Sequence, residues 1–288
     1  MLFNPYRYFI VPCNDQISID YISGKYPIEK KEQLVIDYFS NLKIEIKEKI
    51  IYHNKSYWIY SIDAFDDRYQ LLKICKEKEI ELHEPKERDI EESNVPDFPY
   101  VNVLLDTKKQ IFLIEHNYLI FEYTGICANI ISLFLNEKAR FYSYEVTLNP
   151  MLVEDDFWAS VETFEKINEL SMSLNSPNLF EGWLSTNDFL KAIKKKYNNT
   201  FSNISLKNKT ESLCIEDKNK ELKDAIKYIA NGGGRWKMIG IKDQERFTFE
   251  SEKHIQKIIG DDDIQEAFKN KDKKAIQVFG KIVDIIKE

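Results

Sequence analysis

The sequence predicts an α+β protein with mixed antiparallel sheets and helices, and a ferredoxin-like split module in its second half. Three observations carry this. Short aromatic and β-branched runs are bounded by turn residues, segments with helical spacing lie between them, and no repeat of fixed period is present.

Along the chain, "YRYFIVP" (residues 6–12) reads as a strand and "LVIDYFSNL" (34–42) as a helix. "KIIYHNKSYWIYSIDAF" (49–65) reads as two strands around His53-Asn54-Lys55. A helix is expected over 66–78. The charged stretch 76–100, ending in two prolines, reads as a boundary or a solvated excursion. "YVNVLLDTKKQIFLIEHN" (100–117) is a clear hairpin, and "YTGICANIISLFLNEK" (123–138) an amphipathic helix.

In the second half, strands are expected over 141–150 and 169–178, with a helix over 154–167 whose opening acids suit a helix N-terminus. Ser185, Thr186 and Asn187 offer caps for a helix to residue 197. Two short strands are expected in 201–216 and a helix over 220–230. A hairpin should close around residues 242–245, and a terminal helix over 264–287 is interrupted at Gly280. The expected division is residues 1–95, 96–250 and a helical segment 251–288.

With 288 residues, 43% hydrophobic and 13% aromatic, the chain can bury a sizeable core. Only 9 Gly and 8 Pro argue against long flexible linkers. A net charge of −7 excludes a globally basic nucleic-acid binder, but not a local basic cluster. Cys13, Cys75, Cys127 and Cys214 lack metal-ribbon spacing and read as reduced thiols. No run approaches the ~20 apolar residues of a membrane helix and no signal core opens the chain. A cytoplasmic protein without membrane insertion is therefore expected.

"YIANGGGRWKMIG" (228–240) looks like a phosphate loop, but its order is reversed. A P-loop runs strand, glycines, helix; here the helix comes first, so its carbonyl end meets the glycines. Arg235 and Lys237 share one strand face, placed to touch a phosphate backbone or to stand in solvent, with Trp236 turned to the core. His53, His83, His116 and His254 are isolated, with no metal-like partner at near spacing. Asp106 and Glu115 end a hairpin as in a metal nuclease, but Asn117 stands where that chemistry needs a lysine. No serine elbow, activated cysteine or cofactor motif is present, so no catalytic residue, metal or cofactor is expected.

The strongest basic stretch is residues 191–209. It holds Lys191, Lys194, Lys195, Lys196, Lys207 and Lys209 with no acid between them, interleaved with Tyr197 and Phe201. It suits either tracking of phosphates or a solvated face.

"NVPDFPYVNVLLDTKKQIFLIEHN", a strand ending "TLNP", then "LNSPN", a Lys-rich helix and the closing "YIANGGGRWKMIG…FTFESEKH" together resemble an uncharacterised bacterial domain family associated with phage defence. The layout is also distantly similar to RexA-type phage-exclusion proteins and to RdgC-type recombination-associated proteins, over residues 90–255. The resemblance implies a non-enzymatic homodimer that contacts duplex DNA backbone without reading sequence, acting as a sensor or effector subunit with, in one version, a second defence protein. Expected backbone contacts are Lys194, Lys195, Lys196, Lys207, Lys209, Arg235 and Lys237. Two alternatives stay open: a protein-interaction subunit of a defence complex without DNA binding, and a divergent metal-dependent nuclease.

Overall fold

The computed structural model describes residues 1–12, 33–40, 48–65, 68–175, 196–197 and 199–284. In chain order these form β1 (Leu2–Pro12), α1 (Gln33–Ser40), β2 (Glu48–Tyr52), β3 (Lys55–Phe65), β4 (Tyr69–Lys76), β5 (Lys78–Lys86), β6 (Asp89–Asp97), β7 (Tyr100–Asp106), β8 (Ile111–Glu115) and α2 (Thr124–Ala139). They continue with β9 (Tyr144–Pro150), α3 (Glu154–Thr163), β10 (Lys166–Asn175), β11 (Phe201–Lys207), α4 (Lys220–Tyr228), β12 (Gly234–Lys242), β13 (Glu245–Glu250), β14 (Ile258–Ile259), α5 (Asp262–Asn270) and α6 (Lys273–Gly280).

The molecule is α+β. An antiparallel eight-stranded sheet runs β14-β1-β8-β7-β4-β3-β2, with β9 also paired to β1. Tyr6, Tyr8 and Ile10 of β1 join Val103, Phe112 and the α2 residues Ile130, Ile131 and Phe134 on one face. Phe3, Leu71, Leu104 and Leu113 meet Phe268, Ile276 and Phe279 of α5 and α6 on the other. Pairing of β4 with β7 and of β1 with β8 crosses residue 95, so one sheet holds strands from both sides of the expected division.

A second sheet, β11-β10-β12-β13, is antiparallel throughout. The expected split module needs a parallel central pair. Here β10 and β12 run oppositely, so the second half takes a different α+β form. Leu170, Met172 and Leu174 alternate inward, with Trp236 and Met238, against Phe157 of α3 and Ile226 of α4.

Several expectations are corrected. Residues 69–76 form the central strand β4, not a helix. Being buried on both faces, its run of apolar residues carries no alternation to mark it as a strand. Stretch 76–100 is a solvated excursion that takes the form of an exposed two-stranded ribbon, β5–β6, whose strands were not expected. Residues 140–142 form a 3-10 turn, and Ser143 at φ 58° delays β9 to Tyr144. Helix α3 stops at Thr163 because Lys166 already pairs with Ile241. Only one strand, β11, forms in 201–216; beyond it Leu213 N–H bonds to the Ile167 carbonyl from a loop. The terminal helix is interrupted at Gly280 as expected, where α6 gives way to a 3-10 turn, and it also breaks earlier at Lys271 (φ 57°), where the Asp272 side chain caps α6. The helix expected over 185–197 lies outside the described residues except at 196–197.

The glycine run is a turn, as the reversed order requires. Gly232 has φ +85°, and a Cβ there would come 2.8 Å from Arg7 Cβ on β1. At Gly234 an added Cβ would run into the Ser173 carbonyl across the β10–β12 pairing. In the middle of the large sheet, across β8 from Arg7, Arg68 grips Asp106 of β7, which is 1% exposed, and also Asp284 at 2.6 Å. Its hydrogen bond holds the Asp284 carboxyl below the ordinary carboxylate range.

Two outcomes follow from these anchors. Gly232→Ala should lower stability in chemical denaturation by at least about 1–2 kcal/mol, the cost of a side chain in left-handed backbone. Arg68→Ala should cost about 3–5 kcal/mol by leaving Asp106 charged and buried without its partner. Because the folded Asp284 value is depressed, its contribution is full above about pH 4 and is lost as pH falls through the folded value. Asp284→Asn should flatten acid unfolding below that pH while costing no more than about 1 kcal/mol near neutrality.

Candidate nucleic-acid interface

The helices α3 and α4 cover one face of the second sheet; the other face is polar and uncovered among the described residues. Strand alternation puts Glu169, Ser171 and Ser173 of β10 outward. Register then fixes their neighbours. Glu169 stands opposite Lys207, Ser171 between Ser205 and Lys237, and Ser173 between Asn203 and Arg235. Lys237 in turn faces Glu250 on β13. Ser171, Ser173, Arg235, Lys237, Glu250 and Glu252 border a shallow cavity of about 340 Å³.

The seven expected contacts separate. Lys207, Arg235 and Lys237 converge on this face. Lys196 and Lys209 are exposed just before and just after β11. Lys194 and Lys195 lie outside the described residues. Arg246, opposite Ile241 on β13, joins the same face; it lowers the Glu169 carboxyl after the larger effect of Lys207.

Acids across the sheet accompany the cations of this face. Lys207 pairs with Glu169 at 3.1 Å, Arg235 with Glu252 at 2.9 Å and Lys237 with Glu250 at 2.9 Å. The Lys237 ammonium holds the Glu250 carboxyl below its ordinary range. The face is therefore a lattice of exchangeable ion pairs among serine hydroxyls. Ser173 Oγ donates to Asn203 Oδ1 at 2.8 Å, and Ser171 Oγ to Glu169 Oε1 at 3.0 Å. Phe201, 48% exposed at the β11 end of this face, and Tyr197, 65% exposed just before the strand, supply ring surface that a base could stack on.

The other candidate chemistry resolves into structure. Asp106 and Glu115 sit at opposite ends of the β7–β8 hairpin, with Glu115 opposite Asn102, roughly 13 Å along the strand at about 3.3 Å per residue. Asp106 accepts from Arg68 and the Lys109 N–H, and Glu115 from the Asn102 backbone and side chain. Asp156 in the acidic opening of α3 bonds to His254 Nδ1 at 3.0 Å, and the imidazole stacks on Trp236. His83 does have neighbours, one close in the chain and one that local spacing hides. Glu81 lies two residues back and Glu92 across the ribbon, placing three exposed donor atoms within 4.8 Å of one another. On the helix side of the second sheet, Leu174, Ile204, Leu206, Leu213 and Leu222 line an apolar groove of about 490 Å³.

Comparison with known proteins gives no match to a family model and none to a curated protein. Among the described residues, no helix is long and apolar enough to cross a membrane.

Exposed ion pairs contribute between about 0 and 1 kcal/mol each. Arg235→Ala and Lys237→Ala should therefore shift the unfolding free energy by no more than about 1 kcal/mol, measured by denaturant titration, so any binding defect in these variants is read on a folded protein.

Proposed function

We propose that the protein binds nucleic acid without sequence preference, through the open face of its second sheet, and does so without catalysis. The observation that carries this reading is the convergence of Lys207, Arg235 and Lys237 from two strands onto one polar face, uncovered among the described residues, with Arg246 beside them on a third. Weak surface pairs are the right starting point for such a face. A phosphate can take the place of Glu169, Glu250 or Glu252 at small cost, because each carboxylate returns to water as the phosphate arrives. The displaced carboxylates stay nearby, so affinity should be modest and strongly dependent on salt.

The resemblance to phage-defence proteins supports duplex DNA as the target, a homodimer as the working form, and action as a sensor or effector subunit in antiphage defence. A cytoplasmic location accords with that role.

Fluorescence anisotropy with labelled duplex and single-stranded DNA at two salt concentrations tests the reading. Binding should appear at low salt and fall steeply at high salt. Arg235→Ala with Lys237→Ala should weaken it and reduce the slope of log affinity against log salt by about 0.9 for each phosphate no longer neutralised. Glu250→Gln with Glu252→Gln should strengthen it by releasing both cations. No binding at low salt removes the reading and returns the protein to the interaction-subunit alternative, for which the apolar groove beside α4 is the natural surface.

A further inference from the structure

A second site lies on the large sheet, away from the open face, and does not depend on the reading above. Three elements meet there. The β2–β3 turn, held by His53 (φ 47°) and Asn54 (φ 60°), brings Tyr52, His53 and Lys55. The end of β4 brings Lys76. The segment joining β8 to α2 brings Tyr118, Phe121 and Tyr123. Together they enclose a cavity of about 280 Å³.

Its floor is aromatic and its rim is cationic. Tyr57 and Phe121 stack with centroids 6.0 Å apart at 25°, and Lys76 Nζ lies 5.9 Å from the Phe121 centroid. Tyr118 is 75% exposed and Tyr123 55% exposed, so two large rings border the opening with much of their surface in solvent. Tyr52 is fixed in place by the Asn129 amide, which donates to its hydroxyl at 2.9 Å.

The charge arrangement differs from that of the second sheet. There each of the three converging cations has a carboxylate within 3.1 Å. Here neither Lys55 nor Lys76 has a carboxylate within 4.0 Å among the described residues, and Glu122 is the one acid in the lining. Two unpaired ammonium groups held beside aromatic rings favour a ligand that offers an anion and a planar ring together.

We propose that this cavity is a nucleotide site, in which the base seats against Phe121, Tyr118 and Tyr123 and the phosphate is held by Lys55 and Lys76. The volume suits a single mononucleotide partly open to solvent. The same chemistry would accept a free nucleotide or the terminal nucleotide of a single strand.

Calorimetric titration of the full chain with adenosine monophosphate, adenosine and inorganic phosphate tests this. Adenosine monophosphate should bind saturably, and adenosine and phosphate should each bind at least about tenfold more weakly, because each offers only one of the two recognised groups. Lys55→Ala with Lys76→Ala should weaken the nucleotide about tenfold or more, as should Tyr118→Ala with Tyr123→Ala. Both variants change exposed or rim side chains, and an unchanged unfolding midpoint confirms their fold. Arg235→Ala with Lys237→Ala should leave nucleotide binding intact, which separates this site from the open face. A short 5′-phosphorylated single strand competing with adenosine monophosphate assigns the terminal nucleotide as a ligand; lack of competition assigns the free nucleotide. No saturable binding of adenosine monophosphate at millimolar concentration, equal binding of phosphate alone, or binding untouched by both rim variants overturns the proposal.

Discussion

Strand β1 is the constraint on which the rest of the molecule depends. It pairs with β8 along one edge and with β14 and then β9 along the other, so β9 and β14 join the large sheet only through it. Its two faces feed different cores: Tyr6, Tyr8 and Ile10 meet α1 and α2, while Phe3 meets α5 and α6. Further along, Gly232 lies against Arg7, and the Met151 N–H bonds to the Pro5 carbonyl. Leu152 N–H then bonds to the Ala230 carbonyl, tying in the turn that leads to β12. One strand thus sets the large sheet, its two helical covers and the approach of the second sheet. The glycine run serves this packing.

The parts of the fold legible in the sequence are those with local causes. Hairpins at residues 52–55 and 242–245 are readable from turn chemistry, and His53, Asn54, Asp243 and Gln244 do take positive φ there. Helix α4 is readable from its spacing, and its N-cap Asn219 accepts the Leu222 N–H. What stays hidden has non-local causes. β4 lies between β3 and β7 with almost every residue buried, and a strand covered on both faces shows no period of two. The antiparallel pairing of β10 with β12 joins Leu174 to Gly234 and Lys166 to Ile241, positions far apart in the chain, which no local pattern reports.

The candidate site shows the same division. Alternation places Arg235 and Lys237 on one face and Trp236 in the core, and the structure agrees. The carboxylates that pair with them escape that reading, although a signal exists. Counting outward from the Asp243-Gln244 turn sets Lys242 against Glu245 and, further along the same ladder, Lys237 against Glu250. Lys207 and Glu169 need the longer β10–β11 pairing and cannot be found this way. A run of lysines in sequence therefore overstates the potential at the folded surface. Neighbours across the sheet, and not neighbours along the chain, decide how much of each charge is left for a ligand. By that measure the unpaired cations among the described residues include Lys196 and Lys209 near the ends of β11, and Lys55 and Lys76 beside the aromatic cavity.

The central claim is that nucleic acid lies across the polar face of the second sheet. Photocrosslinking with a bromouracil-substituted oligonucleotide, followed by peptide mapping, tests it most directly. The account places the crosslinks in peptides of β11, β12 and β13, with Phe201 the foremost acceptor at low salt. Crosslinks confined to the β5–β6 ribbon or to the outer helices α5 and α6, with none on those strands, would contradict it.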